Sequence, residues 1–203
     1  NNILTTVLGP AQMLRRTTRD AGALEDLELI ISSTRRATDI LRQLQNSVAE
    51  QVEASPEAVD LNASAQAVLQ MMQPRLDRLK EVGSQVEVDT DLGDVSEVKA
   101  TVPGLRQMLG ALILNALEAM PEGGRLAVHT RQEGEAVVLK ISDTGVGMNE
   151  ETLRKVFEPF FTTKDEVGVG LGLSVLRGTL AQWDGQAEVA SSPGEGSTFT
   201  LRF

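Results

Sequence analysis

Ile3, Leu4, Val7, Leu8, Ala11 and Leu14 recur at three- and four-residue steps, which places them on one face of a helix over residues 1–18. Pro10 falls inside that pattern and predicts a kink or one missing ladder bond. After a turn at 19–22, a second helix is predicted over 24–48. There Leu27, Ile30, Thr34, Ala37, Leu41, Leu44 and Val48 alternate steps of three and four, a heptad seam. Ile31 and Ile40 widen the seam to a bundle-type face. One hairpin cannot cover so wide a face, so two hairpins forming a four-helix dimer are expected.

Residues 51–60 are polar, contain Pro56 and read as a linker. A third helix is predicted over 62–81, with Pro74 inside it. Residues 104–120 are apolar on most sides, so that helix should be buried, with Pro103 at its start. Alternation at 85–89, 95–101, 125–131, 136–142, 186–190 and 198–203 predicts strands. Strands with helices on one face describe an α/β sandwich with a mixed sheet, so the fold class is α+β. The domains are then 1–50 for the hairpin, 51–60 for the linker and 61–203 for the sandwich.

Composition narrows the function. A net charge of −10 argues against a nucleic-acid surface. There is no cysteine, hence no disulfide framework and no thiolate metal site, in keeping with a cytoplasmic location. No apolar run reaches membrane-spanning length, and no membrane contact by these residues is expected. Aromatic residues make up 3 % of the chain, so aliphatic side chains must fill the core.

The candidate chemistry lies between Ile141 and Val175. An apolar run, Val137, Val138, Leu139 and Ile141, leads into Asp143, Gly145 and Gly147. A carboxylate at the end of a buried strand is a fixed acceptor suited to an exocyclic amine such as that of adenine. Glycines beside it let a flat ligand approach. Downstream, Gly168, Gly170 and Gly172 open a helical pattern through Leu171, Leu173, Val175, Leu176 and Leu180. Backbone N–H groups at such a helix start form an anion site. A base acceptor at one end and a phosphate cradle at the other describe a nucleotide pocket, with FEPFFTTKDE between them as a lid.

The ordered set of motifs resembles the histidine kinase branch of the GHKL ATPase superfamily. LILNALEAM is similar to its N box, DTGVGM to its first glycine box, FEPFFTTK to its F box, GVGLGL to its second glycine box and GEGSTF to its last glycine motif. NNILTTVLGPAQML resembles the dimerisation and phosphotransfer helix, beginning just after the phosphoacceptor histidine, which is expected to precede Asn1. His129, in the strand-like LAVHT, reads as a partly exposed strand residue and not as that acceptor.

The resemblance implies ATP and Mg²⁺ as cofactors, with Asn115 the Mg²⁺ ligand and Asp143 the adenine-binding carboxylate. It places Gly145, Gly147 and Met148 along base and sugar, with Ala116 and Met148 as an apolar wall. Gly168, Gly170, Leu171 and Gly172 would meet the phosphates, Lys164 would be the lid cation and Thr198 would assist through water. Phe157, Phe160 and Phe161 are expected to anchor the lid by burial.

The implied activity is a sensor histidine kinase core. It would phosphorylate a histidine for relay to a response-regulator receiver domain, as a homodimer through the hairpin. Without that histidine, these residues alone would not autophosphorylate. One departure is Ala111, where the kinases of the family carry Asn and its hydrolysing members a water-activating Glu. It removes the usual general base for hydrolysis. It also leaves open a second reading, a nucleotide-binding pseudokinase that docks a receiver without chemistry. Glu118 is a second departure, standing where many sensor kinases carry a basic residue near the phosphates.

Overall fold

A computed structural model describes residues 2–53, 55–163 and 170–203. Contacts divide the chain into two units, 1–53 and 54–203.

The first unit is a pair of packed helices, α1 (Asn2–Thr17) and α2 (Ala21–Glu53). Asp20 starts α2: its Oδ1 accepts the Ala23 N–H at 2.8 Å, satisfying one of the donors a helix start leaves over. Helix α1 continues through Pro10, which removes one ladder donor. Ala11, Ile31 and Thr34 are buried, while Ile30 and Leu29 are exposed along with Val7, Met13 and Leu14. Within this unit the buried line therefore runs through Ile31 and Thr34, not through Ile30. The seam positions Leu41, Leu44 and Val48 lie outside the described side chains.

The second unit is an α/β sandwich. Its elements are β1 (Glu57–Val59), α3 (Leu61–Glu81), β2 (Val86–Leu92), β3 (Val98–Ala100), α4 (Val102–Ala119), β4 (Gly124–Glu133), β5 (Ala136–Asp143), α5 (Glu150–Lys155), α6 (Gly172–Gln182), β6 (Gln186–Ser192) and β7 (Gly196–Arg202). The main sheet has the order β2-β4-β5-β7-β6, with β2 parallel to β4 and the other pairs antiparallel. It is therefore mixed.

Alternation along the strands sends Leu126 and Val128 of β4, Leu139 and Ile141 of β5, and Phe199 and Leu201 of β7 into the core under the helices. Helix α4 touches both α3 and α6 as well as β4, β5 and β7. That is why its apolar residues, Leu105, Met108, Leu109, Leu112, Ile113, Ala116 and Leu117, occupy more than one face and are all buried. Each fully buried Leu or Ile contributes about 1.5–3 kcal/mol. Asn62 ties α3 to the sheet: its amide donates to the Gly93 carbonyl at 2.8 Å and accepts the Thr130 hydroxyl at 2.7 Å.

Three local features differ from expectation. Strand β1 lies inside the stretch read as linker, and α2 extends to Glu53. The strand expected over 95–101 is the short β3, which pairs with β1 in a separate two-stranded sheet and does not join the main one. Helix α5 had no counterpart in the sequence patterns. Asn149 caps it by accepting the Thr152 N–H at 2.8 Å, with Glu150 and Glu151 in the first turn and Arg154 and Lys155 in the last, each favourably placed along the helix dipole.

Candidate nucleotide site

The end of β5 carries Asp143 on the helix side of the sheet, buried like Ile141 and Leu139 before it. Its Oδ1 accepts the Gly145 N–H at 2.9 Å. Burial raises the carboxyl pKa above the ordinary aspartate value, outweighing the backbone N–H groups of Gly145 and Ser197, which pull the other way. A buried carboxylate held by backbone N–H groups is a strong acceptor that favours a donor on a ligand.

The loop after Asp143 is shaped by close packing. The Val146 N–H bonds the Ala119 carbonyl at 3.0 Å, and the Gly194 N–H bonds the Val146 carbonyl at 2.8 Å. Gly147 has φ +66°, and a Cβ there would collide with the Ser192 carbonyl oxygen. Only glycine meets both demands. Met148 follows, half-buried against the core, its N–H donated to Ser191 Oγ at 2.8 Å.

Helix α4 links this loop to the second glycine cluster. Ala119 touches the loop through its carbonyl oxygen. A Cβ on Gly172 would lie 3.8 Å from Ala111 Cβ, so the first residue of α6 stands over Ala111. Asn115 is one helical turn from each, on the same face and half-buried, and it is engaged by an interaction within the chain. The face Ala111–Asn115–Ala119 thus runs about 12 Å from one glycine cluster to the other. Ala116, beside it, is buried in the core.

At the far end, α6 opens at Gly172 with Leu171 as its N-cap residue, whose side chain makes no cap hydrogen bond. The Leu171 side chain is buried. Gly170, at φ +69°, accepts the Phe160 N–H at 2.9 Å and pins the neck of the intervening segment. Lys164 and Gly168 lie outside the described residues.

Two expectations are corrected here. Thr198 pairs in register with Ser142, and their hydroxyls bond each other at 2.9 Å. Neighbouring strand residues face opposite sides, so Thr198 lies on the face away from Asp143. The register partner of Asp143 is Ser197, which is buried beside it. The F-box phenylalanines also separate. Phe157 packs edge-on against Phe199 at 6.5 Å, with the Arg177 guanidinium 5.4 Å from its ring. Phe160, in contrast, is 62 % exposed at φ 67°.

His129 sits on the outer face of the sheet, its Nε2 3.9 Å from Asp89 Oδ2. An open groove lined by Glu57, Val59, Asp60, Ser64, Val102 and Arg106 lies beside the β1–β3 pair and shares no residue with the Asp143 cluster. Among the described residues no helix is long and apolar enough to cross a membrane.

A mixed five-stranded sheet covered on one face by helices, with a buried strand-end aspartate and glycine loops at both ends of one helix face, defines a nucleotide-binding α/β sandwich. Residues 100–203 match the histidine kinase-, DNA gyrase B- and HSP90-like ATPase family, and the chain belongs to it. It is 34 % identical to sensor kinase CckA of Brucella abortus over 99 % of this chain and 22 % of that protein. It is 31 % identical to the signal transduction histidine-protein kinase AtoS of Escherichia coli over 98 % of this chain and 32 % of the relative.

The chain therefore spans between a fifth and a third of the length of these relatives. Among solved structures, Acinetobacter baumannii histidine kinase AdeS has the same fold with a TM-score of 0.67 at 24 % identity, covering 98 % of this chain and 94 % of that one. Full-length ShkA in complex with AMPPNP aligns with a TM-score of 0.66 at 25 % identity, covering 99 % of this chain and 42 % of that one.

Proposed function

We propose that this chain is the ATP-binding and dimerisation core of a sensor histidine kinase. The observation that carries the reading is the α4 face Ala111–Asn115–Ala119, which joins the Asp143 loop to the start of α6. Asp143 would accept the exocyclic amine of adenine, with Gly145, Gly147 and Met148 along base and sugar. The first-turn N–H groups of α6, with Gly170 and Leu171 before them, would meet the phosphates.

Among the described residues no group of three His, Cys, Asp or Glu could hold a metal ion. The fit for Mg²⁺ is therefore one amide oxygen, from Asn115, completed by phosphate oxygens and water, a donor set this ion accepts. When bound, ATP·Mg²⁺ supplies the transferable phosphoryl group and the charge that neutralises it. The protein's residues then act by positioning and electrostatics, as phosphoryl transfer requires. No carboxylate stands at position 111 to activate water, so transfer to a protein side chain is favoured over hydrolysis.

The recipient would be a histidine other than His129, which sits on the sheet's outer face, and the phosphoryl group would pass on to a receiver-domain aspartate. The exposed apolar residues Val7, Met13, Leu14, Leu29 and Ile30 would be covered by a second hairpin in a homodimer. Calorimetric titration with Mg·ADP tests the pocket. Binding by the native chain and its loss in Asp143→Asn are expected, and unchanged affinity in that variant would remove Asp143 from the site. Analytical ultracentrifugation tests the dimer: a monomer at tens of micromolar would refute it.

A further inference from the structure

Two serines and an aspartate settle the hydrogen-bond polarity of the base end. Ser191 of β6 lies opposite Ser197 of β7, and Ser197 lies opposite Asp143 of β5, so the three form one row across the sheet on its helix side. Ser191 Oγ donates to the Gly196 carbonyl at 2.7 Å. A carbonyl can only accept, so the single Ser191 proton is committed there. The same oxygen accepts the Met148 N–H at 2.8 Å. It lies 3.1 Å from Ser197 Oγ. Ser191 has no second proton to give, so in that contact Ser197 must be the donor. The Ser197 hydroxyl hydrogen then points back to Ser191, and its lone pairs face the Asp143 side.

We propose that Ser191 is a specificity-positioning residue. By holding the Ser197 proton it makes Ser197 an acceptor beside the Asp143 carboxylate, and the pair selects a base edge bearing an amine over one bearing a carbonyl. The proposal rests on the nucleotide reading above. Ser191 reaches the base only through Ser197 and through the Met148 backbone. A six-amino purine offers hydrogens to these two acceptors. A six-oxo purine sets an oxygen where the amine would stand and has only its N1–H to offer, so at least one buried lone pair stays unpaired, which is the larger penalty.

The test titrates the 203-residue chain calorimetrically with Mg·ADP and with Mg·IDP, which differ at the six-position edge. The native chain should prefer ADP. Ser191→Ala frees the Ser197 hydrogen to donate, so the ratio of the two affinities should shrink by about fivefold, the worth of one net hydrogen bond. Ser191→Thr keeps the oxygen and should retain the native ratio. In a Ser197→Ala background, Ser191→Ala should leave the ratio where Ser197→Ala puts it.

A Ser191→Ala chain that weakens both ligands by one factor, or neither, overturns the proposal, because a merely structural serine would do the same. If Ser191→Ala does not fold, Ser197→Ala alone decides: a lowered ratio supports the proposal and an unchanged one overturns it. A native chain that binds neither diphosphate refutes the nucleotide reading and this inference together. A native preference for ADP that survives Ser191→Ala refutes this inference alone.

Discussion

Two glycines in the sandwich have nearly the same positive φ and opposite surroundings. Gly147 has φ +66° and Gly134 has φ +65°. Nothing lies within 4 Å of a Cβ built on Gly134, in the turn between β4 and β5. A Cβ on Gly147 would overlap the Ser192 carbonyl oxygen and sit 3.1 Å from the Gly196 carbonyl oxygen. Alanine at 134 therefore measures left-handed strain alone, about 1–2 kcal/mol. Alanine at 147 carries the same strain and must also push its loop off the β6–β7 turn.

That movement breaks the Gly194 N–H bond to Val146 and the Met148 N–H bond to Ser191, both 2.8 Å. At about 0.5–1.5 kcal/mol each, they bring the total to about 2–5 kcal/mol. In a domain of about 150 residues each kcal/mol lowers the melting temperature by about 2–4 °C. Gly134→Ala should thus fall by a few degrees and bind Mg·ADP as the native chain does. Gly147→Ala should fall about twice as far and lose at least about tenfold in affinity, which is about 1.4 kcal/mol. Differential scanning fluorimetry and titration calorimetry read both. Equal melting temperatures with unimpaired binding in both variants would refute the claim that the first glycine loop is wedged against the turn.

The pH dependence of binding follows from Asp143, whose pKa is raised by burial. The amine of adenine needs the ionised acceptor, so affinity for Mg·ADP is full at neutral pH and falls as the pH drops through that raised value. The loss begins above the range of an ordinary aspartate, about 3.9. Calorimetry in buffers of different ionisation enthalpy should show proton release on binding in that window, and Asp143→Asn should show none. Stability of the nucleotide-free chain carries the opposite sign: ionising Asp143 disfavours the folded state, so this group's contribution falls as the pH rises through the same window. Phe157→Ala should cost about 2–3 kcal/mol in urea unfolding through its lost contacts with Phe199 and Arg177. Phe160→Gly should change stability by less than about 0.5 kcal/mol, since it relieves a left-handed residue while freeing the unfolded chain. Asp60→Ala should cost about 1 kcal/mol by removing the cap on α3, where Asp60 Oδ1 accepts the Ala63 N–H at 2.9 Å.

What the sequence carried was periodicity and punctuation. Helix α4 and strand β5 were legible because their apolar runs are long and bounded by residues with a purpose, Pro103 at the helix start and Asp143 as a strand-end acceptor. Strand β1 was not, because Glu57–Val59 exposes two of its three residues and is defined only by its pairing with β3. Helix α5 could have been found: Asn149 followed by two glutamates and then Arg154 and Lys155 is a start-and-stop signal, hidden by the glycine cluster before it and the F box after it.

The exchange of Thr198 for Ser197 is the most instructive error. GEGSTF offers two adjacent hydroxyls, and strand alternation guarantees that one faces the Asp143 side of the sheet and the other does not. Composition cannot choose between them, and a one-residue slip in register would reverse the choice. The choice is made by β5, where Asp143 meets Ser197 and Ser142 meets Thr198. That same register sets Ser191 against Ser197 on the next strand. The polarity of the base end is thus a property of three strands read together, and a motif confined to one of them could not have revealed it.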